Sequence, residues 1–288
     1  MEKYVNVIDA FLAKNLSSNA TTLTNNNKIP SFVSQTSMSD ESLKKLYKPI
    51  IYVSMGTVFN NENADLFQVL VEACKFFAHE YAVIVSTGDE KAYEKYANSP
   101  LNSDSILLVP HTPQVEILKI AHLFITHAGM NSVSEAINYG VPIICLPLSG
   151  DQPFVAWRVA DELGMGIRLQ PDSTLTVDKV KESISEILTN PSYKQQATHL
   201  SKISQTYTGH VTACDLTINF IQENDEVNLN LTTTNTNNSS KKSSNNNNDT
   251  DSNFDAVSKA KLIASRRLRT KARKASRSFK SLFKYDRE

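Results

Sequence analysis

The chain has 288 residues, 40% of them hydrophobic, with 30 Lys+Arg balanced by 30 Asp+Glu. That is enough for one good-sized domain or two small ones, and no run approaches the roughly 18 consecutive apolar residues a membrane span needs. The zero net charge hides an asymmetry: residues 254–288 hold 12 Lys+Arg and 3 Asp+Glu, a net of +9, leaving 18 against 27, or −9, for residues 1–253. An anionic partner is therefore expected at the tail and not on the body.

Cys74, Cys145 and Cys214 are sparse, odd in number and far apart. This reads as free, buried thiols in a reducing compartment, not as a disulfide framework. The opening MEKYVNVIDAFLAKNL carries acidic residues and lacks a continuous apolar stretch, so it does not read as a signal peptide. A cytoplasmic protein is expected.

Residues 1–48 are weakly helical at the start and rich in Asn, Thr and Ser in the middle, a weakly structured segment and not a domain. Glycine and proline punctuation then marks a folded core over 49–222. Strands are expected at 50–54, 82–86, 106–109, 123–126 and 143–146, each apolar on consecutive positions as strands buried on both faces are. Helical patterns lie at 63–79, 115–121, 132–139, 154–163, 177–189, 192–206 and 211–222. The alternation predicts an α/β fold, a doubly wound parallel sheet with right-handed crossovers. Residues 223–253 hold 11 Asn in 31 positions and almost nothing apolar. Such a stretch cannot offset its ordering entropy by burial and reads as a disordered linker. Residues 254–288 follow as a basic amphipathic tail.

In sheets of this kind ligands bind beyond the carboxyl ends of the strands. Four such loops carry polar or glycine-rich chemistry: Met55-Gly56-Thr57, Pro110-His111-Thr112-Pro113-Gln114, His127-Ala128-Gly129-Met130-Asn131-Ser132, and Pro147-Leu148-Ser149-Gly150-Asp151-Gln152. Gly129 lets backbone approach a ligand closely. Asn131 and Ser132 fall at a helix start, where free N–H groups and the helix dipole favour an anion. His127 adds a donor or a positive charge. Glu135, one turn further, suits a pair of vicinal hydroxyls. At any single loop these residues also read as helix caps or solvated side chains; four loops together favour a site. Trp157 reads as core packing. His79, His122, His199 and His210 have no metal-like spacing, and no metal is expected.

The stretch PQVEILKIAHLFITHAGMNSVSEAINYGVPIICLPLSGDQPF resembles the donor-binding signature of two-lobed (GT-B) UDP-dependent glycosyltransferases, above all the bacterial macrolide type. IIYVSMGTVFN resembles the strand and loop that open their C-terminal lobe. The resemblance implies a single Rossmann-like lobe over 49–222 and a UDP-sugar co-substrate with no other cofactor. Gln114 would meet the uridine ribose or base, and Glu135 would chelate the ribose hydroxyls. His127, Asn131 and Ser132, with Ser54 and Thr57, would hold the diphosphate, and Gly56 and Gly129 belong to the same donor-binding set. Asp151 and Gln152 would bond the sugar's hydroxyls. Two positions depart from the pattern: His111 stands where a Trp usually stacks on uracil, and Val155 where an Asn is common.

In that family the acceptor site and the catalytic base come from an N-terminal lobe, which the 48 residues before the first strand do not resemble. Three readings follow: a donor lobe working with a separate acceptor subunit, a truncated copy of a full enzyme, or a UDP-sugar-binding or regulatory protein without catalysis. The reaction implied is an inverting hexosyl transfer. The tail, with Ala272, Ala275, Phe279, Leu282 and Phe283 at helical spacing, fits an anionic membrane surface or a calmodulin-like groove, and equally a solvated basic extension. The acidic core lacks the aromatic–basic interleaving of a nucleic-acid platform, so no nucleic-acid partner is expected.

Overall fold

The computed structural model describes residues 2–17, 45–56, 64–97, 103–209 and 211–222. Thr57, the linker 223–253 and the tail 254–288, for each of which a role or state is expected, lie outside the described residues. Residues Met1–Tyr207 form one compact unit and Thr208–Glu288 a second, in which 211–222 are helical.

In chain order the first unit contains α1 (Glu2–Lys14), β1 (Ile50–Ser54), α2 (Ala64–Lys75), β2 (Ala82–Ser86), α3 (Glu90–Ala97), β3 (Ile106–Val109) and α4 (Gln114–Ile120). There follow β4 (Ala121–Thr126), α5 (Met130–Asn138), β5 (Ile143–Cys145), α6 (Gln152–Trp157), β6 (Gly166–Arg168), α7 (Val177–Thr189) and α8 (Pro191–Gln205). The six strands make one sheet in the order β3-β2-β1-β4-β5-β6, every neighbouring pair parallel.

Consecutive apolar residues make these strands because both faces are covered. Ile50, Tyr52, Ile84, Phe124, Ile143 and Cys145 point into one core with α1, α4, α5, α6 and α8. Ile51, Val53, Val83, Val85, Leu123, Ile125 and Ile144 point into the other, with α2 and α7. Each fully buried aliphatic side chain contributes about 1.5–3 kcal/mol relative to exposure. This two-faced burial is the doubly wound sheet expected from the sequence.

The differences have local causes. Helix α4 ends at Ile120 and β4 starts at once, at Ala121 and not at 123. Helix α2 stops at Lys75, where Phe76 and Phe77 donate to the carbonyls three residues back and tighten the chain into turns. α3 and β6 are additional elements. The N-terminal segment, read as weakly structured, contributes α1, whose Ile8, Phe11 and Leu12 are buried in the first core. Helix α6 runs on as a π-helical turn over Arg158–Glu162. There Trp157 is 42% exposed beside the still more exposed Phe154, rings 5.8 Å apart, where core packing was expected. Val155 takes the buried position instead. Cys74 and Cys145 are buried free thiols, but Cys214 is exposed. Among the described residues no helix is long and apolar enough to cross a membrane.

Candidate functional site

Strands β1 and β4 are neighbours, with Ser54 paired to Thr126 at their carboxyl ends. The chain leaves β1 for β2 on one side and β4 for β5 on the other. The two loops therefore diverge and leave a crevice at the switch point of the sheet, where such folds take ligands.

The His127 imidazole occupies a slot there between two glycines. A Cβ added at Gly56 would lie 2.9 Å from its Cε1 and 3.0 Å from its Nε2, and one added at Gly129 only 2.5 Å from its Nε2. Gly56 also needs its freedom for a φ of +81°, whereas Gly129 is needed purely for space. Between the two ring contacts the chain turns through Ala128, whose φ of 62° makes it the one left-handed non-glycine among the described residues. Strain of this kind costs on the order of 1–3 kcal/mol and persists where the surroundings over-determine the backbone. Ala128 is fully buried in the core. Burial holds the His127 pKa below its ordinary value, while a bond to the Ser54 backbone and the Asp151 carboxylate pull it up. At neutral pH the ring is a neutral donor and acceptor, not a cation.

Helix α5 starts at the lip of this slot. Its N-cap is Gly129, and no side chain caps it. Its first internal bond runs from the Val133 N–H to the Gly129 carbonyl at 3.0 Å, so the N–H groups of Met130, Asn131 and Ser132 precede it without an intrahelical acceptor. Asn131 and Ser132 are therefore not caps: Asn131 is exposed at the first turn, and the Ser132 hydroxyl faces sideways to Gln114.

On that side a polar network forms. The Gln114 Nε2 donates to Glu135 Oε2 at 2.6 Å and to Ser132 Oγ at 3.2 Å. Its Oε1 accepts from the Tyr52 hydroxyl at 3.3 Å, and that hydroxyl lies 2.6 Å from Thr112 Oγ1. Tyr52 is buried, its ring stacked 4.9 Å from Phe124, and desolvation pushes its pKa up to about 12. Its hydroxyl also bonds the Ser54 side chain, which is itself buried. His111 is half-buried and meets the edge of the Tyr4 ring on α1, centroids 6.4 Å apart.

On the other side Asp151 is exposed at the start of α6, and Gln152 is buried. The Gln152 Oε1 accepts the N–H groups of Leu148 at 2.8 Å and Ser149 at 3.1 Å, so its carbonyl end holds the loop.

A continuous path of hydrogen bonds thus runs Glu135, Gln114, Tyr52, Ser54, His127 around one crevice, with the Asp151 carboxylate near enough to His127 to act on its charge. Gly56 and Gly129 flank its middle, Ser132 and Gln152 adjoin its ends, and Asn131 and His111 border it without a described bond into it. Sequence reasoning missed Tyr52 and Thr112. Tyr52 sits in an apolar strand run and looks like any core aromatic; its spacing two before Ser54, on the same strand face, was the available signal.

A six-stranded parallel sheet, covered on both faces and with its loops parting at a switch point, defines the class: a doubly wound, Rossmann-like α/β domain. The chain belongs to the family described as UDP-glucoronosyl and UDP-glucosyl transferase, whose model matches residues 16–222. It is 32% identical over 177 residues to an uncharacterized UDP-glucosyltransferase, YojK, of Bacillus subtilis (strain 168), covering 62% of this chain and 42% of that protein. It is 37% identical over 139 residues to the NDP-glycosyltransferase YjiC of Bacillus licheniformis, covering 48% and 33%. The crystal structure of the glycotransferase of kitacinnamycin shares the fold, with a TM-score of 0.52 at 23% identity over 59% of this chain and 42% of that one. The chain spans less than half the length of the curated relatives it matches.

Proposed function

We propose that this chain is the donor-binding half, corresponding to the C-terminal lobe, of a two-lobed UDP-dependent hexosyltransferase akin to the bacterial macrolide type. The observation that carries the reading is the contact path around the switch-point crevice, which lines up hydroxyl acceptors, phosphate donors and sugar-facing groups in the order a nucleotide sugar needs. Glu135 accepts from ribose hydroxyls, and Gln114 lies beside it. The β-phosphate sits on the free N–H groups of α5, with His127, Asn131 and Ser132 around it and the backbone of 54–56 below. Asp151 and the Gln152 amide bond the hexose, and His111 flanks the base in place of a larger ring.

In the reaction an acceptor oxygen attacks the anomeric carbon from the face opposite UDP. The new C–O bond forms as the bond to the β-phosphate oxygen breaks, inverting the centre. The electron pair leaves with UDP, whose growing charge is met by His127 and the α5 amides. Single preorganised donors of that kind are worth about 2.7–4 kcal/mol. The acceptor's proton passes to a base on a second lobe, carried by a partner chain or by a longer form of this one. Titration calorimetry with UDP-glucose, together with a transfer assay, tests the reading. Binding of UDP-glucose, with turnover appearing only when an acceptor lobe is supplied, is expected; no binding of UDP or UDP-glucose would overturn it.

A further inference from the structure

We propose that Tyr52 is a positioning residue for the nucleoside end of the crevice: its buried hydroxyl fixes which way the Gln114 carboxamide faces and thereby holds the Glu135 carboxylate for the ribose. This deepens the donor-site reading and rests on it. The argument is a count of protons. The phenol has one hydrogen. Gln114 Oε1 and Glu135 Oε2 are acceptors only, so the Gln114 amide must turn its NH2 to Glu135, and its oxygen must then receive a hydrogen from Tyr52. Tyr52 has none left for Thr112 or Ser54, so both of those contacts run the other way, the two hydroxyls donating to the phenol oxygen's two lone pairs.

The result is a one-way relay from Thr112 through Tyr52 and Gln114 to Glu135. Both Gln114 amide hydrogens are spent, one on Glu135 and one on Ser132. Gln114 therefore acts on the nucleoside through Glu135, bracing Oε2 and leaving Oε1 to a ribose hydroxyl. Tyr52 cannot drift from its post, because its ring is stacked nearly parallel on Phe124, at 9°, within a packed core. Without the Tyr52 hydroxyl the Gln114 oxygen loses its donor, and the carboxamide is held at its NH2 end alone.

The test measures how the full chain distinguishes UDP from 2′-deoxyuridine diphosphate, by calorimetry, in the wild type and in Tyr52→Phe. Loss of the relay is expected to shrink the UDP preference by about threefold to tenfold, the range of one net hydrogen bond. Val83→Ala, a buried change in the opposite core, serves as the stability control. It is expected to lower the melting temperature and leave the ratio alone. If Tyr52→Phe does not fold, Thr112→Val carries the test with the same direction expected. A ratio unchanged in the folded variants, whether UDP binds as before or both ligands weaken equally, overturns the proposal. Failure of the wild type to bind UDP would instead overturn the donor-site reading beneath it.

Discussion

Replacing Gly129 with alanine places a methyl carbon 2.5 Å from Nε2, 3.1 Å from Cε1 and 3.4 Å from Cδ2 of His127. Unbonded heavy atoms settle at about 3.5 Å or more, so the ring must retreat by about 1 Å. The ring is held close to Gly56 as well, where a Cβ, if present, would lie 2.9 Å from its Cε1, so room for retreat is limited. The backbone itself objects little: position 129 has φ −61° and ψ 140°, comfortable for alanine. Losing glycine at the N-cap costs at most about 1 kcal/mol, and forcing the imidazole off its rotamer another 0.5–1.5 kcal/mol or so. The fold therefore survives while His127 leaves the crevice. Its hydrogen bond to a phosphate, a charged partner, is worth about 1.5–3 kcal/mol, which is about a 10- to 150-fold loss of UDP affinity. Calorimetry with UDP on wild type and Gly129→Ala reads this directly. Gly209→Ala, where an added carbon meets nothing within 4 Å, is the control. A folded Gly129→Ala that binds UDP within twofold of wild type would refute the placement of His127 in the phosphate site.

The lowered pKa of His127 makes stability depend on pH. Below about pH 6.5 the unfolded imidazole takes up a proton that the folded one resists, so stability falls as pH drops through that value and levels off once the folded ring also protonates. Denaturant unfolding from pH 7.5 to 5 should show this slope, and His127→Asn should flatten it. Glu135→Ala should weaken UDP by about 1.5–3 kcal/mol and abolish its advantage over the 2′-deoxy form; a retained advantage would place the ribose elsewhere. The charge asymmetry predicts that the full chain floats with anionic vesicles and that a chain ending at residue 253 does not. Equal partitioning of the two would remove the membrane from the list of partners.

The central strands were legible in the sequence because burial on both faces writes uninterrupted apolar runs, as in Ile50–Ser54 and Ala82–Ser86. β6 was not: its three residues, Gly166-Ile167-Arg168, lie at the sheet edge and include a glycine and a charge. α3, EKAYEKYA, buries Ala92 and Tyr96 alone among its described side chains and so carries too faint an apolar stripe to stand out. The candidate site is legible as four loops, since sheet topology brings carboxyl ends together whatever their spacing along the chain. What the linear order hides is pairing across strands. Gly56 and Gly129 are 73 positions apart, yet they grip one imidazole. Gln152 likewise looks like a free amide in the sequence, but half of its polarity holds the Leu148–Ser149 backbone.

A crystal structure of this chain grown with UDP puts the account to its most direct trial. The pyrophosphate should lie against the amides of Met130–Ser132 with His127 at its side, and the ribose should reach Glu135. A diphosphate bound anywhere else, or a ribose out of reach of Glu135, would contradict it.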